Sequence, residues 1–201
     1  MFGEFTTELT AKLLKTSDGL NCNIRFNELL NFIYKCYLIM LDDTVMVPHN
    51  NENKIRDILL LNYLNDNSIR HMLGMTHFLF DPEVPENNGR SDIKVQTYDT
   101  FQDTKAYYIL ECKRLNGQTT LNHEYVNNGI NRFTTKYYSS YFNINGMIGF
   151  IIHPINIDEN MRKIGDFFDL IEENKLYQST HDGIILYHLM MDFSNNIETN
   201  L

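Results

Sequence analysis

The sequence predicts an α/β fold in which helices flank a mixed β-sheet. Apolar residues recur at helical spacing in the first third of the chain, and short runs of β-branched and aromatic residues, separated by turn formers, follow them. Toward the C-terminus, helical patterns alternate with apolar strand patterns. Consecutive strands followed by alternating helices and strands are typical of a mixed sheet covered by helices.

The individual elements are predicted from apolar spacing and from capping and turn residues. Apolar side chains from Phe26 to Leu41 recur at helical spacing, and Asn51 can cap a second helix that contains Ile55 and Leu64. The apolar run over 147–153 is typical of a strand buried on both faces of a sheet. In chain order, the predictions are a helix at 24–41, the helix capped by Asn51, strands at 76–80, 92–97 and 106–111, a helix at 123–141, a strand at 147–153, a helix at 158–174 and a last strand at 183–191.

Length and composition are those of an ordinary single-domain protein. The chain has 201 residues, 43% of them hydrophobic and 21% charged, which fits one domain with a sizeable core. We expect N-terminal helices over about 5–41, a central core over about 50–155 and a C-terminal helix and strand over about 158–193. The sequence shows neither an apolar run of the roughly 18 residues that span a bilayer nor a secretory pattern, and three cysteines without a CxxC pair indicate reduced thiols. These features predict a cytoplasmic protein.

The net charge restricts the ways in which the chain could bind nucleic acid. A net charge of −9 and a pI near 5.2 argue against binding through a broad basic surface. The same charge is compatible with an enzyme that binds phosphate groups through metal ions, because metal sites of this kind are built from clustered carboxylates.

An acid-x-Lys triplet occurs five times, and only its context separates the copies. Glu111 and Lys113 lie in the apolar run YYILECK, where strand alternation places both side chains on one face and Cys112 on the other. The remaining copies lie on helical patterns, in a polar loop or at the start of a strand. They are Glu52-x-Lys54, Asp92-x-Lys94, Asp103-x-Lys105 and Glu173-x-Lys175.

Asp92 begins the strand that precedes this run. If the two strands form a hairpin through 98–105, Asp92 approaches Glu111, close enough for the two carboxylates to share one divalent cation. Two carboxylates and Lys113 at one sheet edge are costly unless a cation neutralises the acids. A surface salt bridge at a strand end is the alternative interpretation.

The segment GRSDI at 89–93, followed by ECKR at 111–114, resembles the PD-(D/E)XK nuclease superfamily. The order of elements over about 50–155 (helix, three strands, helix, strand) resembles that family too. The resemblance implies a restriction-endonuclease-like fold. Ser91 stands where the family's name has proline, and Tyr125, Asn127 and Asn128 stand in the helix that often carries glutamine.

The resemblance also implies a role for each matching residue. Asp92 and Glu111 would ligate Mg²⁺, for which Mn²⁺ can substitute, with the Cys112 carbonyl as a further ligand. Lys113 would orient or deprotonate the attacking water and stabilise charge on the phosphate. The family often supplies another acid from the helix before the sheet, and Glu52 is the best match; an acid favoured by the helix dipole is the alternative reading of Glu52.

Further residues are candidates for contacts around this site. Glu83 is either a loop acid or an additional metal ligand. Arg90, Arg114, Arg132 and Lys136 are candidate contacts to nucleic-acid phosphates, although the spacing of Arg132 and Lys136 favours a solvated helix face.

By resemblance, the chain is expected to be a Mg²⁺-dependent nuclease that cleaves DNA in restriction or phage defence. A homodimer, or a partner subunit that supplies specificity or ATPase activity, would permit double-strand cutting. Cleavage of RNA stays open. The rival interpretations are a non-catalytic domain of the same fold that binds nucleic acid or protein, and a small acidic interaction protein; the intact Asp/Glu/Lys set favours the enzyme.

Overall fold

A seven-stranded mixed sheet with helices against its faces forms the centre of the structure. The computed structural model describes the backbone of residues 4–86, 89–98, 106–135, 138 and 143–198, and their side chains from Asn23 onward except that of Glu86. The predicted α/β class with a mixed sheet is confirmed. Among the described residues, no helix is both long and apolar enough to cross a membrane.

The strands of the sheet are β1 Phe78–Glu86, β2 Gly89–Thr97, β3 Tyr108–Leu115, β4 Ile144–Ile151, β5 Asp169–Glu172, β6 Leu176–His181 and β7 Ile184–Asp192. Their order in the sheet is β1-β2-β3-β4-β7-β6-β5. β3 and β7 both pair with β4 in parallel, and the other neighbours are antiparallel.

The helices are α1 Glu4–Asp42, α2 Glu52–Leu59 with a π-helical turn at Leu60–Leu64, α3 Asn67–Met72, α4 Thr119–Tyr125 with a π-helical turn at Val126–Ile130, α5 Asn131–Thr134 and α6 Ile157–Ile164. Three of them begin at a side-chain cap. Asn51 caps α2 as predicted, because its side chain accepts a hydrogen bond from the Lys54 N–H. Asp66 and Asn156 cap α3 and α6 in the same way.

The core is divided between the two faces of the sheet. Phe26 and Ile33 of α1 belong to a buried cluster that includes Ile148, whereas Tyr125 of α4 belongs to a second cluster that includes Met147. Since Met147 and Ile148 are adjacent on β4, they point to opposite faces. Every residue of β4 is buried, which confirms the predicted burial, but the strand predicted at 147–153 runs from Ile144 to Ile151 and His153 is exposed.

Several predicted boundaries are wrong. The helix predicted at 158–174 ends at Ile164, and the residues after it form the hairpin of β5 and β6, which the sequence analysis missed. Asn174 adopts a left-handed backbone conformation in the hairpin turn, and its N–H donates to the Asp158 carboxylate. Apolar residues in this region happened to fit helical spacing as well as a strand.

The predictions around β3 and α4 also need correction. β3 continues to Leu115 because its second half pairs with β4, so Glu111 and Lys113 lie within the strand rather than at its end. The helix predicted at 123–141 begins at Thr119, contains a π-helical turn and ends at Thr134.

A hydrogen-bonded group of polar side chains is buried between α4, β6 and β7. The imidazole of His188 is fully buried, with Nδ1 2.9 Å from Tyr125 Oη and Nε2 2.8 Å from Ser179 Oγ. Burial and, to a smaller extent, His181 lower the pKa of His188 to about 3. The folded protein therefore holds this ring neutral.

The neutral His188 predicts a specific pH dependence of stability. In the unfolded chain the imidazole takes up a proton near pH 6.5, whereas the folded chain resists it down to about pH 3, so this contribution is present above pH 6.5 and lost as the pH falls. We expect the free energy of unfolding of His188→Gln to fall less steeply than that of the wild type, by about 1.4 kcal/mol per pH unit below pH 6.5. Urea unfolding across this range measures both slopes, and parallel slopes would contradict the account.

Candidate active site

The site lies where the backbone pairing between β2 and β3 ends and side-chain contacts between the two strands begin. Backbone pairing runs from Val95–Tyr108 to Ile93–Leu110. One residue beyond the last pair, the side chain of Asp92 replaces the backbone as the acceptor. Its Oδ2 accepts a hydrogen bond of 2.8 Å from the Cys112 N–H. The aspartate is thereby fixed to β3 between Glu111 and Lys113, which agrees with the predicted hairpin.

The ammonium of Lys113 is the point at which the acidic residues meet. Its Nζ lies 2.9 Å from Glu111 Oε1, 3.0 Å from Glu52 Oε1 and 3.9 Å from Asp92 Oδ2. It also donates to the Cys112 carbonyl at 2.6 Å. Glu111 is fully buried and Lys113 nearly so. The alternation along β3 thus places Glu111 and Lys113 on one face, while the Cys112 side chain joins the core on the other.

Glu52 reaches the site because α2 begins at this residue. Asn51 caps the helix, and in the first turn Glu52 Oε2 accepts a hydrogen bond of 2.8 Å from the Arg114 N–H of β3. Its other oxygen binds Lys113. The carboxylate therefore connects α2 to two consecutive residues of β3.

Both carboxylate oxygens of Glu111 are engaged. Oε1 accepts from Lys113 and, at 2.7 Å, from Arg132 Nη1, and Oε2 accepts from the Tyr138 hydroxyl at 2.6 Å. Burial, followed by the nearby Asp92, raises the pKa of Glu111 to about 7, although the two cations and the hydroxyl act in the opposite direction.

Burial and neighbouring charges also have opposite effects on the pKa of Lys113, but here the charges outweigh burial, whereas burial dominates at Glu111. Burial alone would lower the pKa of its ammonium, but Glu111, Glu52 and Asp92 outweigh that effect and raise the pKa above its ordinary value. The ammonium stays protonated as long as these carboxylates surround it.

Arg56 is a site residue that the sequence analysis missed. Its side chain is only 4% exposed, and it contacts Asp92 Oδ1 at 3.3 Å, Asp57 Oδ1 at 2.7 Å and Glu83 Oε1 at 3.0 Å. Glu83 itself has a left-handed backbone conformation within β1. Periodicity gave no sign of Arg56, because a buried arginine in a short amphipathic helix looks like a residue of its polar face.

The remaining candidates lie at different distances from the centre of the site. Arg132 binds Glu111 and therefore belongs to the site rather than to a solvated helix face. Arg90 is exposed and pairs with Glu83, whose other partner is Arg56. The Arg114 guanidinium donates to the His49 carbonyl. Lys136 lies outside the described residues.

The oxygen donors have the chemistry that Mg²⁺ prefers, but the lysine occupies their midpoint. Among the described residues, no three Asp, Glu, His or Cys side chains form a group that could hold a metal ion as they stand. The carboxylates of Glu52, Asp92 and Glu111 and the Cys112 carbonyl all face the Lys113 ammonium. Hard oxygen donors of this kind suit Mg²⁺, and an ion could bind among them only in place of the Lys113 ammonium.

Comparison of the chain with protein-family models, with curated proteins and with solved structures gives no match. Only the sequence pattern and the site geometry bear on the function of this chain.

The buried position of Lys113 predicts a large effect on stability. In Lys113→Met, without divalent cations, the buried Glu111 and its acidic neighbours lose their shared counter-charge, and we expect unfolding to become easier by about 3–5 kcal/mol. Lys163 makes an exposed ion pair with Glu159, so Lys163→Met is the matched control, with an expected loss of about 1 kcal/mol or less. Urea unfolding in EDTA measures both; equal, small losses would show that the ammonium is not needed to hold the acids together.

Proposed function

We propose that this chain is a Mg²⁺-dependent nuclease of restriction-endonuclease-like architecture that hydrolyses phosphodiester bonds in DNA. The observation that carries the proposal is the convergence of Glu52, Asp92 and Glu111 on Lys113 at the edge where β2 and β3 separate. Helix α2 and the two consecutive strands β2 and β3 each supply one acid to this point. A chance surface ion pair does not require such a convergence.

The order of elements around the site supports the proposed architecture. α2 precedes the antiparallel strands β1, β2 and β3, and α4 and α5 connect β3 to the parallel strand β4. This is the order that the resemblance to PD-(D/E)XK nucleases implies. β7, β6 and β5 extend the sheet beyond β4.

In this proposal, the acids and the lysine have separate tasks. Asp92, Glu111 and Glu52, with the Cys112 carbonyl, would hold Mg²⁺, which when bound supplies an activated water and neutralises phosphate charge. Lys113 would orient or deprotonate the attacking water and would stabilise the charge that develops on the phosphate.

The acidic character of the chain bears on its partners. With a net charge of −9, the protein lacks an excess of cations for long-range attraction of DNA. A homodimer, or a partner subunit that supplies specificity or ATPase activity, would add DNA contacts and a second site for double-strand cutting. Restriction or phage defence is the biological setting that this proposal implies.

Substitutions of Asp92 and Lys113 test the proposal directly. Wild type should bind Mn²⁺ and cut DNA, and Asp92→Asn should lose both because a ligand charge is gone. Lys113→Ala should retain or strengthen Mn²⁺ binding, since a competing cation is removed, while cleavage falls by about 10²–10⁴. Calorimetry with Mn²⁺, together with cleavage of plasmid, single-stranded DNA and RNA, measures these effects.

Asp81→Asn is the matched control for these variants, because Asp81 is an exposed acid on the neighbouring strand. It should leave both metal binding and cleavage unchanged. Wild-type protein that neither binds metal nor cuts any of the substrates would favour a non-catalytic binding domain. Cleavage of RNA alone would keep the site and change the substrate.

Glu52→Gln separates a metal ligand from a helix-terminal acid. Because Glu52 contacts both Lys113 and the Arg114 N–H, we expect the amide to weaken Mn²⁺ binding and cleavage, though less than Asp92→Asn does. The same calorimetric and cleavage assays apply. Unchanged affinity and rate would remove Glu52 from the site and leave Asp92, Glu111 and Lys113.

A further inference from the structure

A tyrosine joins the two strands of the site where their backbone pairing gives way to side-chain contacts. Tyr138 follows α5 and is 3% exposed, and its hydroxyl lies 2.8 Å from the Arg90 carbonyl on β2 and 2.6 Å from Glu111 Oε2 on β3. The last backbone pair of these strands is Ile93–Leu110. Beyond it, the single proton of the Tyr138 hydroxyl is shared between the Arg90 carbonyl and Glu111 Oε2, so the hydroxyl bridges the two strands.

Arg132 reinforces the same bridge. Its Nη1 donates to Glu111 Oε1 at 2.7 Å and to the Tyr138 hydroxyl at 2.7 Å, and it approaches the Arg90 carbonyl at 3.5 Å. Between the same two strands, Asp92 Oδ2 accepts a hydrogen bond from the Cys112 N–H. Two side-chain links, one through Tyr138 and one through Asp92, thus hold β2 and β3 together beside Asp92 on β2 and Glu111 on β3.

We propose that Tyr138 is a positioning residue that fixes the separation of the Asp92 and Glu111 carboxylates by tying Glu111 to the Arg90 carbonyl. Arg90 lies two residues before Asp92 on the same strand, so a displacement of this carbonyl is transmitted to Asp92 along the backbone. Hydrogen bonds to a metal-ligating carboxylate hold the ligand in its binding geometry. The inference rests on the proposed function insofar as it concerns metal binding.

The hydroxyl can be removed without disturbing the ring. The Tyr138 ring packs edge-on against Phe133 at a centroid distance of 5.2 Å, and Phe133 belongs to the buried cluster on that face of the sheet. Tyr138→Phe keeps this apolar contact and deletes only the bridge. Tyr63 offers a matched control, because it is also buried and its hydroxyl also donates to a carboxylate. That carboxylate belongs to Asp43, in the segment that connects α1 to α2.

The experiment compares wild type, Tyr138→Phe and Tyr63→Phe by Mn²⁺ calorimetry and, in EDTA, by amide hydrogen exchange. We expect Tyr138→Phe to weaken Mn²⁺ binding by about tenfold or more and to accelerate exchange of the Cys112 amide several-fold. Tyr63→Phe should match wild type in both measurements, even where its melting temperature falls as much as that of Tyr138→Phe.

The two readouts distinguish failure of this inference from failure of the proposed function. Tyr138→Phe with wild-type affinity and wild-type exchange at Cys112 would overturn the positioning role. Faster exchange at Cys112 in a protein whose wild type binds no Mn²⁺ would support the bridge between the strands and overturn its role in metal binding, together with the proposed function. Equal effects of Tyr138→Phe and Tyr63→Phe would show a general loss of stability and overturn the inference.

Discussion

The local structure of the site depends on a single buried ammonium. Lys113 neutralises acids that arrive from α2, β2 and β3, and without it these carboxylates would repel one another in a region largely shielded from water. Two further cations reduce the repulsion between the acids: Arg56 forms an ion pair with Asp92, and Arg132 forms one with Glu111. The acids are thus held in place by cations of the same chain, and any metal ion that binds there must replace part of that compensation.

Parts of the chain far from the acidic motif also determine the geometry of the site. Glu52 is placed by the start of α2, and the segment before α2 is fixed by the pairing of Val47 with Ile197 near the C-terminus. Lys54 adds an ion pair to Glu198, although its exposure makes this a small contribution. The C-terminal segment is therefore part of the support for Glu52, even though the motif that suggested a nuclease covers only the middle of the chain.

The parts of the site that could be predicted are those that depend on local rules. Strand alternation placed Glu111 and Lys113 together, and the capping preference of Asn51 placed the start of α2. Arg56 and Tyr138 could not be found in this way, because their partners Asp92 and Glu111 lie 36 and 27 residues away in sequence. Burial of a charged or hydroxyl group follows from tertiary packing, which leaves no periodic signal. The hairpin of β5 and β6 was missed for the opposite reason, since its apolar residues fitted a helix as well.

The central claim is that these acids form a site for a divalent cation. Anomalous diffraction from crystals soaked in Mn²⁺ tests it most directly, because the scattering identifies the ion independently of any activity. The account predicts an anomalous peak among Asp92, Glu111 and the Cys112 carbonyl, with the Lys113 ammonium displaced from the carboxylates. Lys113 still bound to Glu52 and Glu111, with no peak beside them at a saturating Mn²⁺ concentration, would contradict it.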